Sequence, residues 1–222
     1  MKKILVIAPH MDDEVLGCGG AILKHINQGD HVRVCIVAHR VYDHKFNQQK
    51  NLIEESYARD AHKLLGYAEL DFLRLNDERL DYCIQDIIIP LEKSIYQFHP
   101  DIIYTPFRGD NHQDHRAVFD AMRVVTRPSA TPYLEEVLMY ETPSSTEQSP
   151  PLIENIFAPN YYINIEGFIE TKLSAFKCYK TEDRPEPHPR SQAGIKVLAQ
   201  KRGTEIGYLF AEAFMILRKR WY

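Results

Sequence analysis

Residues 4–8 read Ile-Leu-Val-Ile-Ala, an unbroken apolar run that stops at Pro9-His10-Met11-Asp12-Asp13. A run this short is a strand. With no polar residue on either face, it is a strand that must be covered on both sides. That requirement points to a parallel sheet held between two layers of helices, and the chain supplies the alternation such a sheet needs. Helical spacing runs over 14–27, 47–65, 82–98 and 112–125, with Gly66 a natural cap for the second helix and Pro90 a kink or late start in the third. Strand-like segments lie at 31–38, 70–75, 101–105 and 136–140 between and after them. The expected fold is therefore α/β, a Rossmann-like, mostly parallel sheet with helices on both faces.

Residues 142–151 (TPSSTEQSPP) form the clearest loop, and the pattern changes beyond it. A strand at 160–165, helices at 166–179 and 191–203 and a last strand at 211–217 make a smaller C-terminal α+β part, with 181–190 (TEDRPEPHPR) an irregular connection. We expect one domain over 1–222, with a core at 1–141 and a C-terminal extension at 152–222 packed on it.

Composition excludes several classes. The chain has 222 residues, 44% hydrophobic and 26% charged, which is ordinary for a soluble globular protein and too apolar for a disordered one. No apolar run approaches the ~20 residues of a membrane span. A net charge of −4 without a basic stripe argues against nucleic acid. The N-terminal apolar run is too short for a signal peptide. Cys18, Cys35, Cys83 and Cys178 are widely spaced and form no C-x-x-C pair, so reduced thiols and a cytoplasmic location are expected.

Two segments carry chemistry. Pro9-His10-Met11-Asp12-Asp13-Glu14 lies where the first strand meets the first helix, at the edge where open α/β sheets bind ligands. Acids at a helix start also suit the helix dipole and the N-cap, but that leaves His10 unexplained. Gly17-Cys18-Gly19-Gly20 resembles part of a dinucleotide fingerprint, yet it sits a turn too late and behind carboxylates that repel a diphosphate. Close helix-on-sheet packing accounts for these glycines better. The second segment, Gly109-Asp110-Asn111-His112-Gln113-Asp114-His115, follows the fourth strand and reaches the same edge. Its two histidines at i, i+3 share a helix face. His10, Asp13 and one of them make a two-imidazole, one-carboxylate set suited to Zn²⁺ or Fe²⁺.

These residues resemble the PIG-L-like (LmbE-like) zinc-dependent N-acetylglucosaminyl deacetylases. His10-Met11-Asp12-Asp13-Glu14 is similar to that family's H-P-D-D-E motif and His112-Gln113-Asp114-His115 to its H-P-D-H motif, with Met11 and Gln113 in place of the prolines. The resemblance continues through Tyr140-Glu141 and Pro187-His188-Pro189-Arg190-Ser191, so it spans nearly the whole chain. It implies metal ligands His10, Asp13 and His115, with Asp12 as general base. It also implies that His112 assists the transition state; on physical grounds an imidazolium at His112 would supply a cationic partner for the oxyanion. Asp114 either orients a histidine or caps the helix.

Other candidates are weaker. His188 and Arg190 either fold over the site to contact sugar hydroxyls or lie in a solvated loop. Arg108 and Asp110 flank the second motif, and His39, Arg40, Tyr42 and His44 follow the second strand on the same edge. The family's substrate-binding Arg in the second helix has no clear counterpart, and Lys50 is the substitute. The implied activity is removal of the acetyl group from an N-acetylhexosamine sugar or glycoconjugate. Alternatives are an amidase acting on a thiol or other acyl conjugate, and a non-catalytic sugar or nucleotide-sugar binder. The resemblance further implies Zn²⁺, or another divalent metal such as Fe²⁺, and a homo-oligomer.

Overall fold

The computed structural model describes residues 1–42 and 44–221. The chain runs β1 (Lys3–Ala8), α1 (Asp13–Asn27), β2 (His31–His39), β3 (Val41–Tyr42), β4 (Lys45–Phe46), α2 (Gln48–Leu65) and β5 (Glu69–Asn76). It continues through α3 (Gln85–Phe98), β6 (Ile102–Pro106), α4 (Gln113–Val125) and β7 (Glu136–Tyr140) to β8 (Tyr161–Asn164), α5 (Ile169–Phe176), α6 (Gln192–Thr204) and β9 (Ala211–Lys219).

One seven-stranded sheet has the order β5-β2-β1-β6-β7-β9-β8. The first five of these strands are parallel, and β9 and β8 pair antiparallel. The C-terminal stretch therefore continues the central sheet through β9 and β8, while its helix α5 packs on the core formed with α1 and α2. Strand β1 is central, as its apolar run requires. Ile4, Val6 and Ala8 join the core formed with α1, α2 and α5, while Leu5 and Ile7 join the core formed with α3 and α4. The chain builds outward from β1 through β2 to β5, then returns to β6 on the other side of β1. That reversal opens a crevice above the carboxyl ends of β1 and β6, the switch point where such sheets bind ligands.

Three details differ from expectation. Helix α3 begins only at Gln85, so Pro90 falls within its first two turns, where fewer backbone bonds are lost. The helix expected over 166–179 is confined to Ile169–Phe176, because the chain turns at Gly167 before it and again at 177–179 after it. Strands β3 and β4 form a small antiparallel ladder, each too short to show a period. Among the described residues no helix is long and apolar enough to cross a membrane.

The glycines of α1 serve packing. A Cβ on Gly17 would lie 2.2 Å from Tyr140 Cδ2, and one on Gly20 would lie 2.5 Å from Ile165 Cγ2. Tyr140 cannot retreat easily, since it is buried and its hydroxyl donates to the carbonyl of Ile7 at 2.8 Å. We therefore expect Gly17→Ala to destabilise the fold by about 1–3 kcal/mol through overpacking. Urea unfolding measures this, and an unchanged midpoint would contradict the packing role.

Candidate active site

The first motif leaves β1 through a tight turn. Asp12 adopts φ 129, a positive value that costs a non-glycine residue about 1–3 kcal/mol. Successive side chains normally point to opposite sides of a strand or about 100° apart on a helix. Asp12 occupies the N-cap position of α1 but makes no capping bond with its side chain. Its carboxylate instead lines the cavity at the switch point and accepts from Arg190 Nη1 at 2.8 Å. Asp13 Oδ2 accepts from the His10 backbone N–H at 2.9 Å. The same oxygen lies 3.4 Å from His10 Nδ1 and 3.2 Å from His115 Nε2.

Those spacings suit a tetrahedral ion. Ligand atoms about 2.0–2.1 Å from a zinc ion lie about 3.3 Å from one another. His10, His112 and His115 each bring one ligand atom within 4.8 Å of the others. The outer nitrogens of two of these rings face carboxylates. His10 Nε2 lies 3.0 Å from Asp77 Oδ1 and 3.2 Å from Asp114 Oδ2, and His115 Nδ1 lies 3.3 Å from Asp110 Oδ1. For His10 this backing fixes the tautomer and leaves Nδ1 turned toward Asp13, as in carboxylate–histidine–metal triads, while His115 turns Nε2 to Asp13 with its Nδ1 near Asp110 but not hydrogen-bonded to it. Asp13 Oδ1 is buried without a hydrogen-bond partner. The donor set thus fits a divalent cation.

Charge at the cluster says the same. Burial works against ionisation of Asp13, but His115 and His10 outweigh it and hold this carboxyl well below the usual range. Burial also opposes the charge on His115, yet Asp13 and Asp110 raise it to about 9. The acids call for positive charge, and protons supply it when no cation does. Burial raises Asp12 to about 8 against the pull of Arg190, and raises Glu14 to about 7.

His112 behaves differently. Its Nδ1 accepts from the Asp114 backbone N–H at 3.2 Å, so His112 is the true N-cap of α4. Burial, and then the neighbouring His10 and His115, push it down to about 3. The expected imidazolium is therefore corrected to a neutral ring that carries its proton on Nε2. Asp114 is not the cap. Its fully buried carboxylate accepts from Glu78 N at 2.8 Å and Leu80 N at 3.3 Å while facing His10.

The cavity measures about 220 Å³ and is walled by Arg40, Glu54, Glu182 and Arg190 opposite the histidines. Glu182 accepts from Arg190 at 2.9 Å and also binds Arg40. Glu54 accepts from Tyr42 at 2.9 Å and Thr181 at 3.0 Å. Several expected substrate contacts lie elsewhere. Asp110 is buried behind His115, where Ser145 and Thr146 donate to it. Arg108 is exposed and outside the cavity wall, and Lys50 stacks its ammonium on Tyr42 at 4.4 Å. His188 accepts from the Arg190 backbone at 3.1 Å within its own loop. Sequence reasoning missed Asp77, Glu54 and Glu182. Asp77 was within reach, since it follows the carboxyl end of β5 on the active edge.

Fold and site together define an α/β protein whose switch point carries a His–Asp cluster able to hold a metal ion. The model of the PIG-L family, GlcNAc-PI de-N-acetylase, matches residues 5–126, more than half of the chain, and the chain belongs to that family. A relative in Escherichia coli (strain K12), named uncharacterized deacetylase YaiS, is 29% identical over 81% of this chain and 91% of its own length. The solved N,N'-diacetylchitobiose deacetylase of Pyrococcus horikoshii superposes with a TM-score of 0.79 at 22% identity, covering 97% of this chain and 84% of that one. GalB, the 4-carboxy-2-hydroxymuconate hydratase of Pseudomonas putida KT2440, superposes at 0.77 with 18% identity, covering 100% and 98%. A fold shared by a deacetylase and a hydratase leaves the chemistry to the side chains.

The cluster sets a pH response. A folded-state value above the unfolded one means that the fold holds the proton more tightly. The stability gained is then lost as pH rises through the folded value. For His115 this interval runs from the ordinary 6.5 to about 9. The raised Asp12 and Glu14 act in the same direction, with folded values of about 8 and 7. Chelator-treated protein should therefore show a Tm that falls between pH 6.5 and 9. A Tm that rises across that interval would count against this charge arrangement.

Proposed function

We propose that the protein is a metal-dependent N-deacetylase. It hydrolyses the acetamide of an N-acetylhexosamine sugar or glycoconjugate to acetate and a free amine. The observation that carries this reading is the uncapped Asp12 carboxylate beside the backed His10–Asp13–His115 set. The names of the relatives point the same way, the Pyrococcus horikoshii enzyme being a diacetylchitobiose deacetylase.

His10, Asp13 and His115 would hold the ion, Zn²⁺ or Fe²⁺. When bound, such an ion polarises a carbonyl and makes water more acidic. Asp12, poised near neutrality, takes a proton from the attacking water and returns it to the leaving nitrogen. Neutral His112 turns its Nε2–H toward the cavity, where it can donate to the developing oxyanion. With its Nε2 serving as a donor, His112 is left out of the proposed ligand set, and Asp13 completes that set. Arg190 holds Asp12 from the far side. Arg40, Glu54 and Glu182 offer charged partners for hydroxyls at the mouth. At about 220 Å³ the cavity is smaller than the roughly 300–1,000 Å³ of sites that enclose drug-sized ligands. A compact sugar head enters it, and the rest of a conjugate stays outside.

The test is free-amine release from N-acetylhexosamine conjugates by Zn²⁺-loaded protein, with mass spectrometry of the acid product to separate acetyl from other acyl groups. Asp12→Asn should lower kcat by about 10²–10⁴-fold with metal content retained. His115→Ala should lose both metal and activity. Full activity in Asp12→Asn, or in thoroughly chelated protein, would sink the proposal.

A further inference from the structure

Glu14 has no part in the chemistry above, yet it is a fully buried acid in the first turn of α1. Among the described residues, no Lys, Arg or His lies within ion-pair distance of it. A helix start favours an acid, but that effect acts at the surface and does not require burial. Burying a carboxyl group without a counter-charge is costly unless hydrogen bonds meet its oxygens. Glu14 has two such partners. Its Oε2 accepts from the backbone N–H of Asp12 at 3.2 Å, and its Oε1 accepts from the hydroxyl of Tyr179. Tyr179 is itself fully buried and comes from the turn after α5, in a part of the chain beyond the residues 5–126 that match the family model.

These contacts meet at the strained residue. With φ 129 at Asp12, two adjacent carboxylates serve one site: Asp13 turns to the histidines and Asp12 to the cavity. A residue in that conformation relaxes unless its surroundings hold it. Arg190 holds the Asp12 side chain, and only Glu14 holds its peptide N–H among the described contacts. We propose that Glu14 and Tyr179 are a positioning pair that fixes the Met11–Asp12 peptide and so aims the Asp12 carboxylate. This inference rests on Asp12 being the base, as proposed above.

The test compares Tyr179→Phe, Glu14→Ala and Glu14→Gln with wild type, reading kcat, KM, bound metal and amide hydrogen exchange at Asp12. Tyr179→Phe removes one hydroxyl and should lower kcat about 10-fold, and Glu14→Ala about 100-fold, with KM and metal content unchanged. Glu14→Gln should recover most of kcat, because its amide oxygen still accepts from Asp12 and its NH₂ can donate to Tyr179. Exchange at the Asp12 amide should quicken in Glu14→Ala. A purely structural role would lower Tm while leaving kcat per folded molecule at the wild-type value, and that result overturns the proposal. If Glu14→Ala does not fold, Tyr179→Phe decides alone: an unchanged kcat overturns it. An inactive wild type would instead strike the deacetylase reading, so the two failures are distinct.

Discussion

The site depends on one buried oxygen. Asp13 Oδ2 lies within 3.4 Å of two imidazole nitrogens and accepts a backbone N–H as well. A carboxylate taken that far from water survives as a charge only among positive partners. His10 and His115 meet that need when protonated, and a dication would meet it in their place. The far nitrogens of the rings in turn face Asp77, Asp114 and Asp110. Each acid is then anchored by other parts of the fold. Asp114 binds the backbone at Glu78 and Leu80, and Asp110 takes the hydroxyls of Ser145 and Thr146.

Anchoring of this kind explains why the C-terminal stretch cannot be read as an appendage. Strand β9 extends the central sheet from β7, and α5 packs in the same core as α1. From there Tyr179 reaches Glu14, Arg190 reaches Asp12, and Glu182 joins Arg190 to Arg40 at the end of β2. Both sides of the crevice are thereby tied to the first turn. A network of hydrogen bonds and ion pairs rigidifies its surroundings, and this one surrounds Asp12, whose backbone φ is positive.

Much of the fold is legible along the chain. An apolar run with no polar face required a central, doubly covered strand, and β1 is that strand. Gly66 closes α2 in the left-handed conformation that its position suggested. The Gly17 and Gly20 contacts bear out packing over nucleotide binding. The histidines and acids of both motifs do meet at one sheet edge. Asp110 and Asp114 were harder, because an acid beside a histidine reads alike whether it faces substrate or backs a ring. The charge on His112 is not legible in the sequence, which reveals neither that the ring is buried nor that two other imidazoles crowd it and disfavour another proton.

What the sequence determined by itself is local: which segments alternate, which strand must be central, and which turns carry His and Asp at the sheet's active edge. These follow from periodicity and from the chemistry of residue types at a strand end. Only the tertiary structure decided the partners. Asp77 lies 67 residues from His10 in the chain, Tyr179 lies 165 from Glu14, and Arg190 lies 178 from Asp12. A hydrogen bond needs its atoms within about 3 Å. Periodicity sets the direction a side chain faces, but only the closed packing of strands and loops brings such distant groups that near.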